Sequence, residues 1–318
     1  MIAQCLKSQS LCIATLVLLV SLSGCGGLIG TTPIFSSATL PPVTHTPMPS
    51  LMPPTYTRLP TSMPKVPTPT MAPTLSPDQE QALVLDLLQN NAGCRLPCWW
   101  GFTPGKTSWQ TAQTYFALLG KTTAKFSNSR LTNYTVKFGI PGHDIQIGQV
   151  YNVSNGIIDM IWISAGTVRN QERVYGDAQF VEDFQHYMLP QLLSAHGQPT
   201  EAWLRTFSSV PGAWIPFILL LFYPDQGILV RYYGPAERLQ EHIRVCPDQA
   251  DITLWLWSPK REMTLEDIAN VSPEFPPEEV PAYRSLEEAT GMDVRTFYET
   301  FKTANNQACL KTPAGMWP

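Results

Sequence analysis

The chain has 318 residues with 21 basic and 25 acidic side chains, which gives a formal net charge of −4. Three basic residues and no acidic ones precede residue 78, so segment 78–318 has 18 basic and 25 acidic residues and a charge of −7. This charge argues against nucleic acid or an anionic lipid surface as the main partner.

The N-terminus has the three parts of a secretion signal. Lys7 precedes the apolar run 11–22, which is too short to span a bilayer alone, and small residues follow as far as Gly24. We therefore expect residues 1–24 to be a signal peptide. The alternative is an uncleaved anchor over the uncharged residues 11–30, but four of the last seven are glycines, which disfavours a membrane helix.

The stretch Leu22-Ser23-Gly24-Cys25 resembles the lipobox of bacterial lipoproteins. The resemblance implies that Cys25 is acylated, for example with palmitate, and becomes the new N-terminus of a lipid-anchored segment 25–30. Several acyl chains give stable anchoring, at about 0.8 kcal/mol per buried CH₂ group. We expect the protein on the extracytoplasmic side of the cell membrane, with the membrane as a partner through this anchor.

Residues 31–77 form a low-complexity linker. Of these 47 residues 13 are proline and 11 are threonine, and none is acidic. Such a segment cannot bury a core, so we predict a disordered Pro/Thr-rich tether that favours extended polyproline II. At about 3.1 Å per residue its full reach is on the order of 145 Å.

The cysteines support export. Of the seven, two lie in the leader and Cys25 is the lipidation site, which leaves an even number for segment 78–318. Three pairings are open, and we favour Cys94–Cys98 and Cys246–Cys309 because the first pair is close in sequence. The second bond would tie the C-terminal helix to the sheet. A second pair at metal-ligand spacing is missing, so we expect no metal and no cofactor.

Helix signals recur along segment 78–318. Ser76-Pro77-Asp78-Gln79 begins one helix, and Thr107 or Ser108 caps the next. A third is predicted from about Ala178 to His196, kinked at Pro190. Thr264 caps a short helix, and Ser285-x-x-Glu288 opens a helical pair ending near Asn305.

The strands are predicted from alternating or continuous apolar runs. The first group is 134–140, 145–153 and 157–164, and Asn155-Gly156 gives the hairpin signal. The second group comprises 202–207, 214–223, 228–233, 243–246 and 252–257. The order predicts an α+β fold with a mostly antiparallel sheet and flanking helices. Helix–Gly–strand–hairpin occurs twice, which suggests related units at 78–170 and 171–318.

Two local resemblances lie in the first unit. Thr103-Pro104-Gly105-Lys106-Thr107, with Leu118-Leu119-Gly120, resembles the helix start and end of SmpA/OmlA-type assembly lipoproteins. Cys94-x-Leu96-Pro97-Cys98-Trp99-Trp100-Gly101 is similar to a segment of uncharacterised bacterial lipoproteins. The second resemblance gives no indication of what activity to expect.

Catalytic motifs are missing from the sequence. The Gly-x-Ser-x-Gly elbow does not occur, because Trp162 stands where the first glycine of 162–166 is required. Gly101 is one position too late for a phosphate loop ending in Gly105-Lys106-Thr107. The helical pair after Ser285 mimics a DNA-binding motif, but its acidic residues and the expected export argue against that.

Aromatic pairs are the remaining candidates for a binding site. Trp99-Trp100 is one pair, and Trp255 and Trp257 share one face of a strand whose other face is also apolar. Either these tryptophans pack in the core or they contact a sugar or a peptide in a groove.

The sequence favours a binding or envelope-assembly module without catalytic activity. Its expected partners are the membrane and an envelope protein or glycan, with no prediction of oligomeric state. The alternative is a cell-envelope hydrolase that uses a carboxylate pair, which one sequence cannot locate.

Overall fold

The computed structural model describes residues 74–127, 132–208, 214–303 and 308–318. The predicted signal peptide, the lipidation site Cys25 and residues 31–73 of the linker lie outside these ranges. The described residues fall within one compact unit, 68–318. The division into units at residue 170 stays a prediction.

The described residues form helices on both sides of one large sheet. The helices are α1 (Pro77–Asn90), α2 (Trp109–Leu118), α3 (Ala178–Asp183), α4 (Leu189–His196), α5 (Leu265–Val271), α6 (Leu286–Thr290) and α7 (Val294–Phe301). The strands are β1 (Ala124–Ser127), β2 (Thr132–Ile140), β3 (Ile145–Ser154), β4 (Ile157–Arg169), β5 (Glu172–Val174), β6 (Glu201–Arg205), β7 (Ile215–Tyr223), β8 (Ile228–Leu239), β9 (His242–Val245), β10 (Asp251–Trp257), β11 (Arg284–Ser285) and β12 (Leu310–Pro313).

The sheet is antiparallel at every pairing in the described residues. Its main path runs β1-β2-β3-β4-β10-β8-β7-β6-β11; off this path, β5 pairs with β4, and β9 pairs with β8 and with β12. The predicted α+β class with a mostly antiparallel sheet is therefore confirmed. Two three-stranded meanders, β2-β3-β4 and β6-β7-β8, each follow a helix and lie on opposite sides of β10.

The caps form as the sequence predicts. Ser76 accepts a hydrogen bond from the backbone N–H of Gln79, whose side chain accepts one from the N–H of Ser76. Ser108, not Thr107, caps α2. Thr264 and Ser285 begin α5 and α6 through the same reciprocal arrangement.

The single helix predicted over 178–196 is wrong. The segment contains α3, a 3₁₀ turn at 185–187 and α4. The backbone of Met188 is extended, with φ −67° and ψ 154°, so the chain breaks before Pro190 instead of kinking there. Proline restricts the residue before it and lacks an N–H, so it is accommodated in the first turn of a new helix, where α4 has it.

The two faces of the sheet have separate cores. On the face that we call the first, α1, α2, α3, α4, α6 and α7 pack against alternating strand residues in one large cluster. On the second face, α5 and the turns around it cover only part of the sheet, over Trp255, Trp257 and their neighbours. The remainder of the second face is free of a covering helix in the described residues, and the candidate site lies there.

Candidate functional site

Three glycines on neighbouring strands leave part of the second face without side chains. Gly139 is on β2, Gly148 on β3 and Gly166 on β4. Together they form the floor of a groove of about 490 Å³. A Cβ atom on Gly166 would lie 2.6 Å from the carboxylate of Asp251, so the Asp251 side chain lies across this glycine. We call this cleft the glycine groove; its side-chain lining includes Lys137, Gln146, Ser164, Arg173 and Glu274.

Two arginine–carboxylate pairs border the glycine groove. Arg173 Nη1 donates to Asp251 Oδ2 at 2.5 Å. Arg231 Nη2 donates to Glu274 Oε2 at 3.1 Å and Arg231 Nη1 to the Glu274 carbonyl at 2.7 Å. The Arg231 guanidinium also lies 5.5 Å above the ring of Trp255, which makes it a cation–π contact. These contacts hold both carboxylates and Arg231 in place.

Asp251 has an unusual protonation equilibrium. Burial raises the pKa of Asp251 to about 6, although Arg173 and Arg231 lower it. Burial has the larger effect because the Asp251 side chain is only 5% exposed, while that of Arg173 is 51% exposed and its charge is screened by water. A buried carboxyl group with a raised pKa therefore lies beside the groove, against Gly166 of its floor.

An aromatic surface adjoins the groove at its Asp251 end. Trp214 is 56% exposed and stacks on Tyr175, with ring centroids 6.0 Å apart and an interplanar angle of 28°. Tyr175 contacts Tyr233 edge to face, with ring centroids 5.9 Å apart. Tyr233 pairs in register with Asp251, and Tyr175 follows Arg173 by two residues. We call these three residues the aromatic shelf.

The tryptophans predicted as ligand contacts lie elsewhere. Trp99, Trp100, Trp255 and Trp257 are each between 0% and 2% exposed. Trp99 and Trp100 stack at 5.3 Å in the first-face core, and Trp255 and Trp257 lie under α5 on the second face. Their contacts are with the protein's own core, the first of the two interpretations, and a ligand would reach them only if covering elements moved.

The cysteines pair as the sequence favours. Cys94 bonds to Cys98, and Cys246 bonds to Cys309. The expectation that the second bond ties a helix to the sheet is wrong, because Cys309 directly precedes β12. Leu310 pairs with Val245, so the bond fastens a C-terminal strand to β9. Neither disulfide lines the glycine groove.

Sequence reasoning missed the residues that build the groove. Two of them carry a signal, because Arg231 and Asp251 are charged residues within or beside apolar strand runs. A charge at such a position is retained only when it is paired, which indicates a partner from elsewhere in the chain. The exposure of Trp214 and the alignment of the glycines had no local signal.

Two further observations concern metal binding and membrane spans. No group of three or more His, Cys, Asp or Glu in the described parts of the chain is arranged to hold a metal ion. No helix within those same ranges is long and apolar enough to cross a membrane.

Comparisons of the chain with family models, with curated proteins and with solved structures gave no match.

Proposed function

We propose that this chain is a lipid-anchored, extracytoplasmic binding module of the cell envelope, and that it binds a glycan along the glycine groove and the aromatic shelf. The observation that carries the proposal is the exposed Trp214 ring beside a polar groove on a sheet. The anchor rests on the lipobox-like segment ending at Cys25 and on the linker that follows it.

The groove and the shelf supply the two kinds of contact that a sugar needs. Apolar C–H faces of a sugar ring pack on a flat aromatic surface, and hydroxyl groups need hydrogen-bond donors and acceptors. Trp214 offers the flat surface, with one face supported by Tyr175. Lys137, Gln146 and Ser164 offer polar groups along the groove.

Rigidity favours binding at this place. The floor is three paired strands, and the arginines at its border are held by Asp251 and Glu274. A site that is ordered before binding loses less conformational entropy when the ligand arrives.

The test is calorimetric titration of the full chain with soluble peptidoglycan fragments and envelope polysaccharides. We expect Trp214→Ala to weaken glycan binding about tenfold, the effect of losing about 1.4 kcal/mol of stacking. The matched control is Leu118→Ala, which removes another exposed apolar side chain, on α2 over the first face. Equal affinities of wild type and Trp214→Ala would contradict the proposal.

A hydrolase is the second candidate, and the raised pKa of Asp251 favours it. A carboxyl group with a pKa of about 6 suits general acid catalysis, and Glu274 lines the groove that Asp251 borders. Incubation of the same glycans with wild type, Asp251→Asn and Glu274→Gln separates the candidates. The binding module forms no shortened product in any of the three; product formed by wild type and lost in both variants establishes the hydrolase instead.

A further inference from the structure

A second pocket lies on the other side of the sheet, between the Cys94–Cys98 loop and α4. It encloses about 390 Å³, and we call it the disulfide pocket. Its basic lining residues are Arg95 from the loop, His186 from the 3₁₀ turn and His196 from the end of α4. Because α1 and α4 pack on the first face, this pocket is separate from the glycine groove.

The charge of the disulfide pocket is opposite to that of the chain. None of its eleven lining residues in the described part of the chain is Asp or Glu, whereas segment 78–318 has a net charge of −7. Burial lowers the pKa of His196, and the positive charge of Arg95 lowers it further. Arg95 is therefore near enough to His196 for the two to repel when both are charged, and an anion between them would relieve that repulsion.

The backbone that carries Arg95 is firmly held. Asn91 Nδ2 donates to the carbonyl oxygens of Cys94, at 3.0 Å, and Cys98, at 2.8 Å. Asn91 Oδ1 accepts a hydrogen bond from the Trp100 N–H at 2.7 Å. One buried amide thus ties both ends of the disulfide loop to the end of α1.

The His196 ring is also oriented. Its Nδ1 lies 2.8 Å from Gln226 Oε1, and Gln226 Nε2 donates to the His196 carbonyl at 2.9 Å. An amide oxygen only accepts, so Nδ1 carries the proton. Nε2 has no partner among the described residues, and on protonation it becomes a donor for a ligand.

From these contacts we infer that the disulfide pocket binds an oxyanion, a carboxylate or phosphate group of an envelope component, with Arg95 as its main contact. Guanidinium groups bind both kinds of anion through paired N–H donors. His186 and His196 line the same pocket, as do the exposed residues Asn90 and Ser194.

The test is titration of the full chain with inorganic phosphate and, separately, with acetate, in a buffer that contains neither. We expect Arg95→Gln to weaken binding of the preferred anion about tenfold, as the loss of one charge-assisted contact does. Arg95→Lys retains part of the affinity. Binding of phosphate alone identifies a phosphorylated component, and equal binding of acetate identifies the wider oxyanion class.

The matched control is Arg284→Gln, an exposed arginine on β11 at the far edge of the sheet, which leaves the affinity unchanged. Near-ultraviolet circular dichroism checks that each variant is folded. The inference is overturned if wild type binds neither anion, or if Arg95→Gln and Arg284→Gln bind as well as wild type. Glycan binding at the groove is unaffected in either case, so the two proposals fail separately.

Discussion

Asp251 combines an ion pair with a raised pKa. The attraction of Arg173 and Arg231 favours its charged form, and burial disfavours it more strongly. Glycine at position 166 is what permits this arrangement, because any Cβ there would occupy the space of the carboxylate. The shape of the groove thus depends on Gly166 of β4 and on the buried Asp251 of the neighbouring strand β10.

The raised pKa predicts how stability changes with pH. An acid whose pKa is higher in the folded state binds more protons when folded, so the free energy of unfolding is larger at low pH and falls as pH rises from about 4 to about 6. Asp251 therefore lowers the free energy of unfolding by about 2 kcal/mol at pH 7 relative to pH 4.

Asp251→Asn removes this titration. We expect the free energy of unfolding of wild type, measured in urea at pH 4 and pH 7, to fall by about 2 kcal/mol relative to that of the variant. Asp144→Asn is the control, because Asp144 is an exposed acid paired with Arg169. Parallel pH profiles for wild type and Asp251→Asn would show that Asp251 ionises normally.

At the scale of elements, strands with a regular pattern were predictable and short ones were not. The predicted run 145–153 is observed as β3, Ile145–Ser154, joined to β4 through Asn155 and Gly156, both with positive φ as the hairpin turn requires. β1 and β12, with four residues each, were missed. All four β1 residues are exposed. β12 alternates buried and exposed residues, but its second buried residue is Thr312 and it ends in proline, so its sequence has no apolar alternation.

The Cys246–Cys309 bond is the element-scale feature with the largest expected effect on stability. It closes a loop with a sequence separation of 63 and fastens β12 to β9. On the chain-entropy model such a loop contributes about 4 kcal/mol.

Replacement of both cysteines by serine should lower the free energy of unfolding by about that amount, measured in urea under oxidising conditions. The comparison is the Cys94→Ser/Cys98→Ser pair, whose separation of 4 predicts a contribution of only about 2 kcal/mol. An equal loss in the two double variants would contradict the loop-length argument.

At the scale of the whole molecule, β10 joins the two meanders. It pairs with β4 on one side and with β8 on the other, and every one of its seven residues is buried. Residues of β10 belong to the cores of both faces. The strand β10 therefore connects the two meanders into one sheet.

This connection predicts one cooperative unfolding transition. Leu254→Ala, at a site only 2% exposed, should lower the free energy of unfolding by about 2–5 kcal/mol and move the whole transition. Tryptophan fluorescence and far-ultraviolet circular dichroism are the two probes, and their curves should coincide. Separate transitions would instead support independent units at 78–170 and 171–318.

Local sequence signals predict the helix caps, the longer strands, the hairpin at Asn155-Gly156 and the α+β class. These features depend on residues close together in the chain, where pattern and side-chain chemistry act directly. The cysteine spacing also favoured the pairing that the structure has. The predicted signal, lipid anchor and linker rest on the same kind of local evidence.

The position of the candidate site follows from contacts between residues far apart in the chain. Arg173 meets Asp251 across 78 residues, and Arg231 meets Glu274 across 43. Strand register and sheet order bring these groups together, and the partial cover on the second face leaves the groove open while it buries Trp255 and Trp257. A tryptophan is exposed or buried according to what packs over it, so Trp214 could be separated from the other candidates only in the folded molecule.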